Sequence, residues 1–231
     1  MKQLGDLLVS INELLKHPRL QVALDLTSLE EALRIAKIAW DNGAEILEAG
    51  TPLIKSVGLR AVKALRENFP EAIIVADMKT MDTGFLEAKL AHEAGADIMT
   101  VLSVASNHTI NEALMYGRKH GLLVAVDLIS HPNPLARAAE LDRMNIDILI
   151  SHLGIDVQKK LGITVADRSQ VVSKIRKVFS KCLAVAGGIK PGKAKILVKS
   201  GANIVIVGSA ITKSSEPHKV VRELISELKD P

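Results

Sequence analysis

Three charged residues, Asp77, Lys79 and Asp82, follow a short apolar run at residues 72–75. Such a run predicts a buried parallel strand, which places the three charges at its C-terminal end. Asp77 and Lys79 are two residues apart, and side chains at that spacing point to the same side of an extended strand. A buried charge is costly unless it meets an opposite charge, a metal ion or a substrate. The pattern therefore indicates either a structural ion pair or a group of catalytic residues.

The strand before Asp77 is one of eight apolar runs that each precede a helical pattern. Their spacing of about 25 to 30 residues is typical of an α/β protein of the (β/α)8 TIM-barrel class. An open, doubly wound parallel sheet is the alternative. The predicted strands are residues 20–25, 45–48, 72–75, 98–102, 122–128, 148–152, 183–188 and 204–208.

The helical patterns divide the chain into two parts. Residues 20–231 contain the predicted barrel, and residues 1–19 form an N-terminal extension with an extra amphipathic helix over roughly residues 2–16. Within the barrel we expect one helix over residues 57–68, after the second strand. A longer loop is expected over residues 153–164, after the sixth strand.

The composition fits a globular protein and narrows its partners. Aromatic residues make up only 2% of the chain and no long Lys/Arg run occurs, which argues against nucleic-acid binding. The net charge of +4 suits a small anionic substrate. No apolar run is long enough to span a membrane and no signal-peptide pattern begins the chain, so we expect a cytoplasmic protein. The single cysteine, Cys182, is expected to be a buried strand thiol.

Active sites of such barrels lie at the C-terminal ends of the strands. Five predicted strands carry ionisable residues at that end: Asp25, Glu48, Asp77 with Lys79, Asp127 and His152. Carboxylates such as those of Glu48 and Asp77 are the ligands that Mg²⁺ prefers, and two of them leave positions for substrate oxygens. Mn²⁺ accepts the same ligands.

The two basic side chains of this set complete a catalytic pattern. The ammonium of Lys79 can donate to a developing oxyanion, and histidine, here His152, exchanges protons near neutral pH. Together with a metal ion, they predict proton abstraction next to a carbonyl, or C–C cleavage through an enediolate. A barrel that binds a sugar phosphate without catalysis is the alternative from another class, but it would not need this set of charges.

Glycines end the seventh and eighth predicted strands. Gly188 and Gly208 allow close approach of the backbone, and Ser209 adds a hydroxyl group. The loops after these two strands commonly bind phosphate in barrels of this class, through backbone N–H groups. The sequence therefore predicts a phosphorylated substrate.

These residues resemble those of the orotidine monophosphate decarboxylase suprafamily, whose mark is the Asp-x-Lys-x-x-Asp pattern of residues 77–82. Within it the chain most closely resembles the 3-hexulose-6-phosphate synthase family, through GTPLI at residues 50–54 and DMKTMD at residues 77–82. The likeness extends over residues 20–228. It implies an aldol lyase that interconverts ribulose 5-phosphate plus formaldehyde and D-arabino-3-hexulose 6-phosphate through an enediolate.

The resemblance also implies a role for each candidate residue. Glu48 and Asp77 would bind Mg²⁺, Lys79 would stabilise the enediolate, and His152 would move the proton at C1. The implied substrate contacts are Asp25, Asp127, Gly188, Gly208 and Ser209. Asp82 would reach into the active site of a neighbouring subunit, which implies a homodimer.

Sister activities of the suprafamily are the nearest alternatives. 3-Keto-L-gulonate 6-phosphate decarboxylases have an Arg three residues after the histidine of the sixth strand, where this chain has Ile155. Orotidine monophosphate decarboxylase has a Lys where this chain has Glu48. Related synthases occur fused to a formaldehyde-activating enzyme or to a 6-phospho-3-hexuloisomerase, so such a partner is a further expectation.

Overall fold

The computed structural model describes residues 10–229, which contain a closed barrel of eight parallel strands. Each strand pairs with the next along the chain, and the last closes the barrel against the first. The predicted (β/α)8 fold is therefore confirmed, and the open doubly wound sheet is excluded. The strands are β1 (Arg19–Leu24), β2 (Ile46–Ala49), β3 (Ile73–Thr80), β4 (Ile98–Leu102), β5 (Leu123–Asp127), β6 (Ile148–His152), β7 (Cys182–Ala186) and β8 (Ile204–Val207).

Helices connect the strands and surround the barrel. Some of them begin where a side chain accepts from a free backbone N–H group; Ser28, for example, accepts from the N–H of Glu31 at the start of α2. None of the helices in the described part of the chain is both long and apolar enough to cross a membrane. The helices are α1 (Ile11–Leu14), α2 (Leu29–Asp41), α3 (Thr51–Val57), α4 (Arg60–Asn68), α5 (Gly84–Glu93), α6 (Asn107–His120), α7 (Pro134–Arg143), α8 (Ile155–Leu161), α9 (Ser169–Val178), α10 (Ala194–Lys199), α11 (Ser209–Thr212) and α12 (Pro217–Lys229), with a 3-10 turn at Ala166–Arg168.

Two predicted segments differ from the structure. The sequence predicts one helix between β2 and β3, over residues 57–68, whereas the structure has two: α4 covers most of that range, and α3 precedes it because Pro52 favours a helix start and Gly58, at φ 69°, ends the helix. The loop expected over residues 153–164 contains α8, which begins after Gly154 and ends at Gly162. Its residues show no apolar period because none of them is buried.

Side chains alternate along each strand between the surrounding helices and the barrel interior. In β3, Ile74 and Ala76 pack with the helices, whereas Ile73 and Val75 belong to the interior cluster. Asp77 continues the interior series because it lies two residues after Val75. The same alternation carries the interior series of other strands to their last members, Asp25, Glu48, Asp127 and His152.

Helix α1 closes the opposite, N-terminal end of the barrel. Leu14 is fully buried and packs in the interior cluster with Ile46 and Ile98. Arg19 ties α1 to β1, since its Nη2 donates to the backbone oxygen of Glu13 at 3.0 Å. The expected N-terminal helix is thus present at its C-terminal part, and residues 2–9 of that prediction lie outside the described residues. The division of the chain at residue 20 stays a prediction.

Cys182 lies in the same interior layer, at the start of β7. It is fully buried, as predicted from its apolar neighbours. Burial raises the pKa of its thiol to about 12, although the guanidinium groups of Arg176 and Arg19 act in the opposite direction. The thiol is therefore a core side chain and not a nucleophile at neutral pH.

Candidate active site

A cavity of about 870 Å³ opens at the C-terminal ends of the strands. Its walls bring together nearly all of the residues proposed from the sequence. The predicted residues that line it are Asp25, Glu48, Asp77, Lys79, Asp127, His152, Gly188, Gly208 and Ser209. Asp82 does not line it, and its exposed carboxylate accepts a hydrogen bond from the N–H of Thr83.

Asp77 and Lys79 form an ion pair, with Nζ of Lys79 2.5 Å from Oδ2 of Asp77. The sequence predicts an extended backbone between them, and that prediction is wrong. Lys79 has φ 47°, and the pairing of β3 with β4 shifts register between Ala76 and Thr80. This irregularity aims the ammonium back over the end of the strand, where it meets Asp77.

Two threonines fix the carboxylate of Asp77. Thr51 donates to Oδ2 at 2.7 Å and Thr100 donates to Oδ1 at 2.8 Å. Burial raises the pKa of Asp77, but the charge of Lys79 and these hydrogen bonds outweigh it, so the net pKa lies below the usual value. Asp77 is thus an oriented anion at neutral pH. For Lys79, burial lowers the pKa, but Asp77 and Asp127 raise it above its usual value, which keeps the ammonium charged.

Glu48 is buried beside this pair and is held by one amide. Gln21, an inward residue of β1, donates from Nε2 to Oε2 of Glu48 at 2.5 Å. Burial, then the charges of Asp77 and Asp25, raise the pKa of Glu48 well above its usual value. The pKa of Asp25 is raised in the same way, by burial and by Asp77. The carboxylates at the cavity floor therefore repel one another.

A divalent cation would relieve this repulsion, so the donor set fits the predicted ion. Glu48 and Asp77 offer hard carboxylate oxygens of the type that Mg²⁺ binds. Within residues 10–229 no group of three or more His, Cys, Asp or Glu side chains is arranged to hold a metal ion. The protein would thus supply two ligands and leave the other positions to water and substrate, as Mg²⁺ sites often do.

Asp127 connects the histidine to the lysine. Its Oδ2 lies 2.8 Å from Nδ1 of His152 and 3.9 Å from Nζ of Lys79. Its Oδ1 accepts a hydrogen bond from the N–H of Ile129 at 2.8 Å. Because a carboxylate only accepts hydrogen bonds, the pair places the ring proton on Nδ1 and leaves Nε2 of His152 as the basic nitrogen.

Two glycines shape the opposite wall of the cavity. Gly188 has φ 71°, and a Cβ there would lie 2.5 Å from Oε1 of Gln158, so only glycine fits without displacement. A Cβ at Gly208 would lie 3.1 Å from the carboxylate of Asp25. The exposed Lys190 and Lys213 line the cavity next to these glycines. The arrangement offers backbone N–H groups and positive charge to one anionic group.

The comparison with known proteins agrees with this geometry. Residues 18–224 match the sequence model of the family described as "Orotidine 5'-phosphate decarboxylase / HUMPS family". The chain belongs to this family. The resemblance inferred from residues 77–82 is thereby confirmed.

Named members of the family are similar over nearly the whole chain. A 3-hexulose-6-phosphate synthase from Mycobacterium gastri is 39% identical over 207 residues, which cover 89% of this chain and 97% of that protein. The crystal structure of a 3-hexulose-6-phosphate synthase from Salmonella typhimurium matches with a TM-score of 0.85 at 36% identity, covering 91% of this chain and 98% of the other. The prediction that the chain is a carbon–carbon lyase of this family is confirmed.

A longer type of family member is also similar. A bifunctional enzyme Fae/Hps from Methanoculleus marisnigri is 38% identical over 91% of this chain. The match covers 53% of that enzyme, so the chain spans about half the length of this relative.

Several side chains of the site could not be identified from the sequence. Gln21, Thr51 and Thr100 orient the carboxylates, but each stands in or beside an apolar run without a signal of its own. Lys190 and Lys213 follow the glycine motifs closely, and that proximity was the one available signal. The remaining histidines lie away from the cavity: His17, for example, bonds Glu45.

Proposed function

We propose that the chain interconverts ribulose 5-phosphate plus formaldehyde and D-arabino-3-hexulose 6-phosphate. One observation carries the proposal: Asp127 lies between His152, at 2.8 Å, and Lys79, at 3.9 Å, in the wall of one cavity. Because Asp127 contacts both side chains, His152 as a base and Lys79 as an oxyanion stabiliser can act on adjacent atoms of one substrate. The names of the relatives from M. gastri and S. typhimurium support the choice of substrate.

His152 carries the proton transfer in this proposal. Asp127 holds the proton on Nδ1, so Nε2 takes a proton from C1 of ribulose 5-phosphate. The electron pair of the broken C–H bond moves into a 1,2-enediolate, and the negative charge grows on the oxygen at C2. Lys79 donates to that oxygen, and its raised pKa keeps the donor charged.

The second half of the reaction forms the new bond. C1 of the enediolate attacks the carbon of formaldehyde, the C=O electron pair moves to the formaldehyde oxygen, and the carbonyl at C2 is restored. The new alkoxide takes the proton that His152 holds, so the site returns to its first state. The original C2 carbonyl becomes C3 of the hexulose phosphate, and the reverse sequence releases formaldehyde.

Glu48 and Asp77 would hold Mg²⁺, or Mn²⁺ in its place. When bound, the ion supplies Lewis-acid stabilisation of the substrate oxygens. The chain's own contribution is to fix the two carboxylates, through Gln21 on Glu48 and through Thr51 and Thr100 on Asp77.

The rest of the cavity would bind the sugar phosphate. Gly188, Gly208 and Ser209 would hold the phosphate through backbone N–H groups and a hydroxyl, with Lys190 and Lys213 adding charge. Asp25 lies between the glycine wall and the metal-binding carboxylates, so it would accept from a sugar hydroxyl group.

The decarboxylase alternative finds less support at Ile155. This residue lines the cavity three positions after His152 and offers no charge where the decarboxylases have an Arg. An uncharged group there cannot help to protonate the enediolate that decarboxylation leaves.

Two partner proposals complete this assignment. A homodimer would bring Asp82 to a neighbouring site, and the exposed apolar side chains of Met81, Phe85 and Leu86 beside it support such an interface. Association with a formaldehyde-activating enzyme is supported by relatives named "Bifunctional enzyme Fae/Hps", and association with a 6-phospho-3-hexuloisomerase stays a prediction.

The direct test follows formaldehyde. We expect the protein to consume formaldehyde only with ribulose 5-phosphate and Mg²⁺, to stop with EDTA, and to resume with added Mg²⁺. Asp77→Asn should abolish consumption, whereas Asp41→Asn, a matched change on the exposed face of α2, should not. Release of CO₂ from 3-keto-L-gulonate 6-phosphate without formaldehyde consumption would move the chain to the decarboxylase activity. Binding of ribulose 5-phosphate without either reaction would favour a non-catalytic barrel.

A further inference from the structure

The segment between Gly154 and Gly162 forms part of the cavity wall. It consists mainly of α8, which follows the candidate base His152 by three residues. Ile155, Gln158 and Lys159 of α8 line the cavity. A movement of this helix would therefore change the shape of the cavity.

Helix α8 is held weakly for a helix in this barrel. Within residues 10–229 it is the one helix of which no residue is buried, whereas the shorter α10 buries both Ala194 and Leu197. Its apolar residues remain in solvent: Ile155 is 54%, Val157 38% and Leu161 58% exposed. A movement of the helix that covered these apolar side chains would be favourable, because it would remove apolar surface from water.

Backbone hydrogen bonds hold both ends of the segment from Gly154 to Gly162, and few contacts hold its middle. The N–H groups of Leu153 and Val165 bond the backbone oxygens of Ala186 and Gly187, at 3.0 and 2.9 Å. Between these anchors, the side chain of Gln158 donates to the oxygen of Leu153 at 2.6 Å. Gly162, at φ 66°, lies in a position with no atom within 4 Å of a Cβ built on it, so the backbone has room to rotate there.

The cavity side of α8 carries a free positive charge. Lys159 is exposed and, among the residues that the structure describes, has no hydrogen-bond or ion-pair partner. Its neighbour Gln158 lies against Gly188, one of the glycines proposed to bind the phosphate. A phosphate bound at Gly188 would attract the ammonium group of Lys159.

We propose that the segment from Gly154 to Gly162 is a lid that closes over the sugar phosphate, with Lys159 contacting the phosphate. Closure would bring Ile155 over the reacting end of the substrate, next to His152, and exclude water from the enediolate. The proposal rests on the proposed function, because it takes its ligand from it. Lys159 is accordingly a substrate-binding residue, and Gly154 and Gly162 bound the moving part.

Hydrogen–deuterium exchange with and without ribulose 5-phosphate tests the lid without turnover. We expect slower exchange of the amides of residues 155–161 on binding, with no change in α2 on the outside of the barrel. Lys159→Gln should weaken binding of ribulose 5-phosphate about tenfold, the usual effect of losing one charge-assisted contact. Lys160→Gln, the same change on the next residue and outside the cavity lining, should leave binding within about twofold.

Each outcome decides the matter. Binding that slows exchange at residues 187–190 but not at residues 155–161, or equal affinity of the two lysine variants, overturns the lid and leaves the proposed reaction intact. Protection of residues 155–161 without formaldehyde consumption keeps the lid and contradicts the reaction. No binding of ribulose 5-phosphate overturns both.

Discussion

The carboxylate of Asp127 accepts a hydrogen bond of 2.8 Å from Nδ1 of His152. The resemblance implies that Asp127 contacts the substrate, but the structure shows both of its oxygens with partners inside the protein. Its buried position gives it a second role, which is to orient the ring of His152 and fix the proton on Nδ1.

Asp127→Asn separates these two roles. An amide in this place can donate to Nδ1 and shift the ring proton to Nε2, which removes the base. We therefore expect kcat to fall by about 10²- to 10³-fold with KM for ribulose 5-phosphate nearly unchanged. Asp147→Asn, which removes a half-buried carboxylate outside the cavity, should retain kcat. A large increase in KM at unchanged kcat would instead make Asp127 a substrate contact.

Gln21→Met tests how Glu48 is oriented. The change keeps the volume but removes the donor to Oε2 of Glu48, so the carboxylate loses its fixed position. We expect the Mg²⁺ concentration for half-maximal activity to rise about 10- to 100-fold, with activity restored at saturating Mg²⁺. Gln170→Met, at an exposed position of α9, is the matched control. An unchanged Mg²⁺ requirement would show that Gln21 does not serve a metal-binding carboxylate.

Leu14→Ala tests whether α1 closes the barrel. Leu14 is fully buried in the interior cluster, whereas its neighbour Leu15 is 40% exposed. The free energy of unfolding in urea should fall by about 2–5 kcal/mol for Leu14→Ala, the usual cost of a large cavity in a core. Leu15→Ala should cost less than about 1 kcal/mol. Equal effects of the two changes would mean that α1 does not pack into the barrel.

Cys182 predicts a loss of stability at high pH. Its thiol has a pKa of about 12 in the folded protein, whereas a thiol in an unfolded chain ionises near 8.5. Above about pH 9 the unfolded chain thus loses a proton that the folded chain keeps. The free energy of unfolding therefore declines as the pH rises towards about 12. The free energy of unfolding should decline with pH more steeply for the native protein than for Cys182→Ala. Parallel curves would contradict the burial of the thiol.

The sequence is sufficient to predict the barrel and most of the cavity wall. Apolar strands alternate with amphipathic helices, and the residue that ends each strand must lie at the same rim, which brings Glu48, Asp77 and His152 together. Distances across the rim cannot be read in this way. Asp127 and His152 are 25 positions apart, and they become partners through the register in which β5 pairs with β6.

Local backbone geometry at two places also could not be predicted from the sequence. Lys79 reaches Asp77 through a left-handed residue and a register shift, neither of which an apolar run reveals. Helix α8 has no buried face, so the apolar period that identifies other helices is absent from it. Both departures lie at the cavity, where substrate binding and not core packing determines the residues.

In the proposed reaction, Nε2 of His152 takes the proton from C1 of ribulose 5-phosphate. In D₂O, with Mg²⁺ and without formaldehyde, the protein should exchange a C1 hydrogen of ribulose 5-phosphate for deuterium, which NMR follows directly. His152→Asn should slow this exchange at least about 100-fold while ribulose 5-phosphate still binds. Exchange in His152→Asn at the native rate would contradict the claim and assign the proton transfer to another residue.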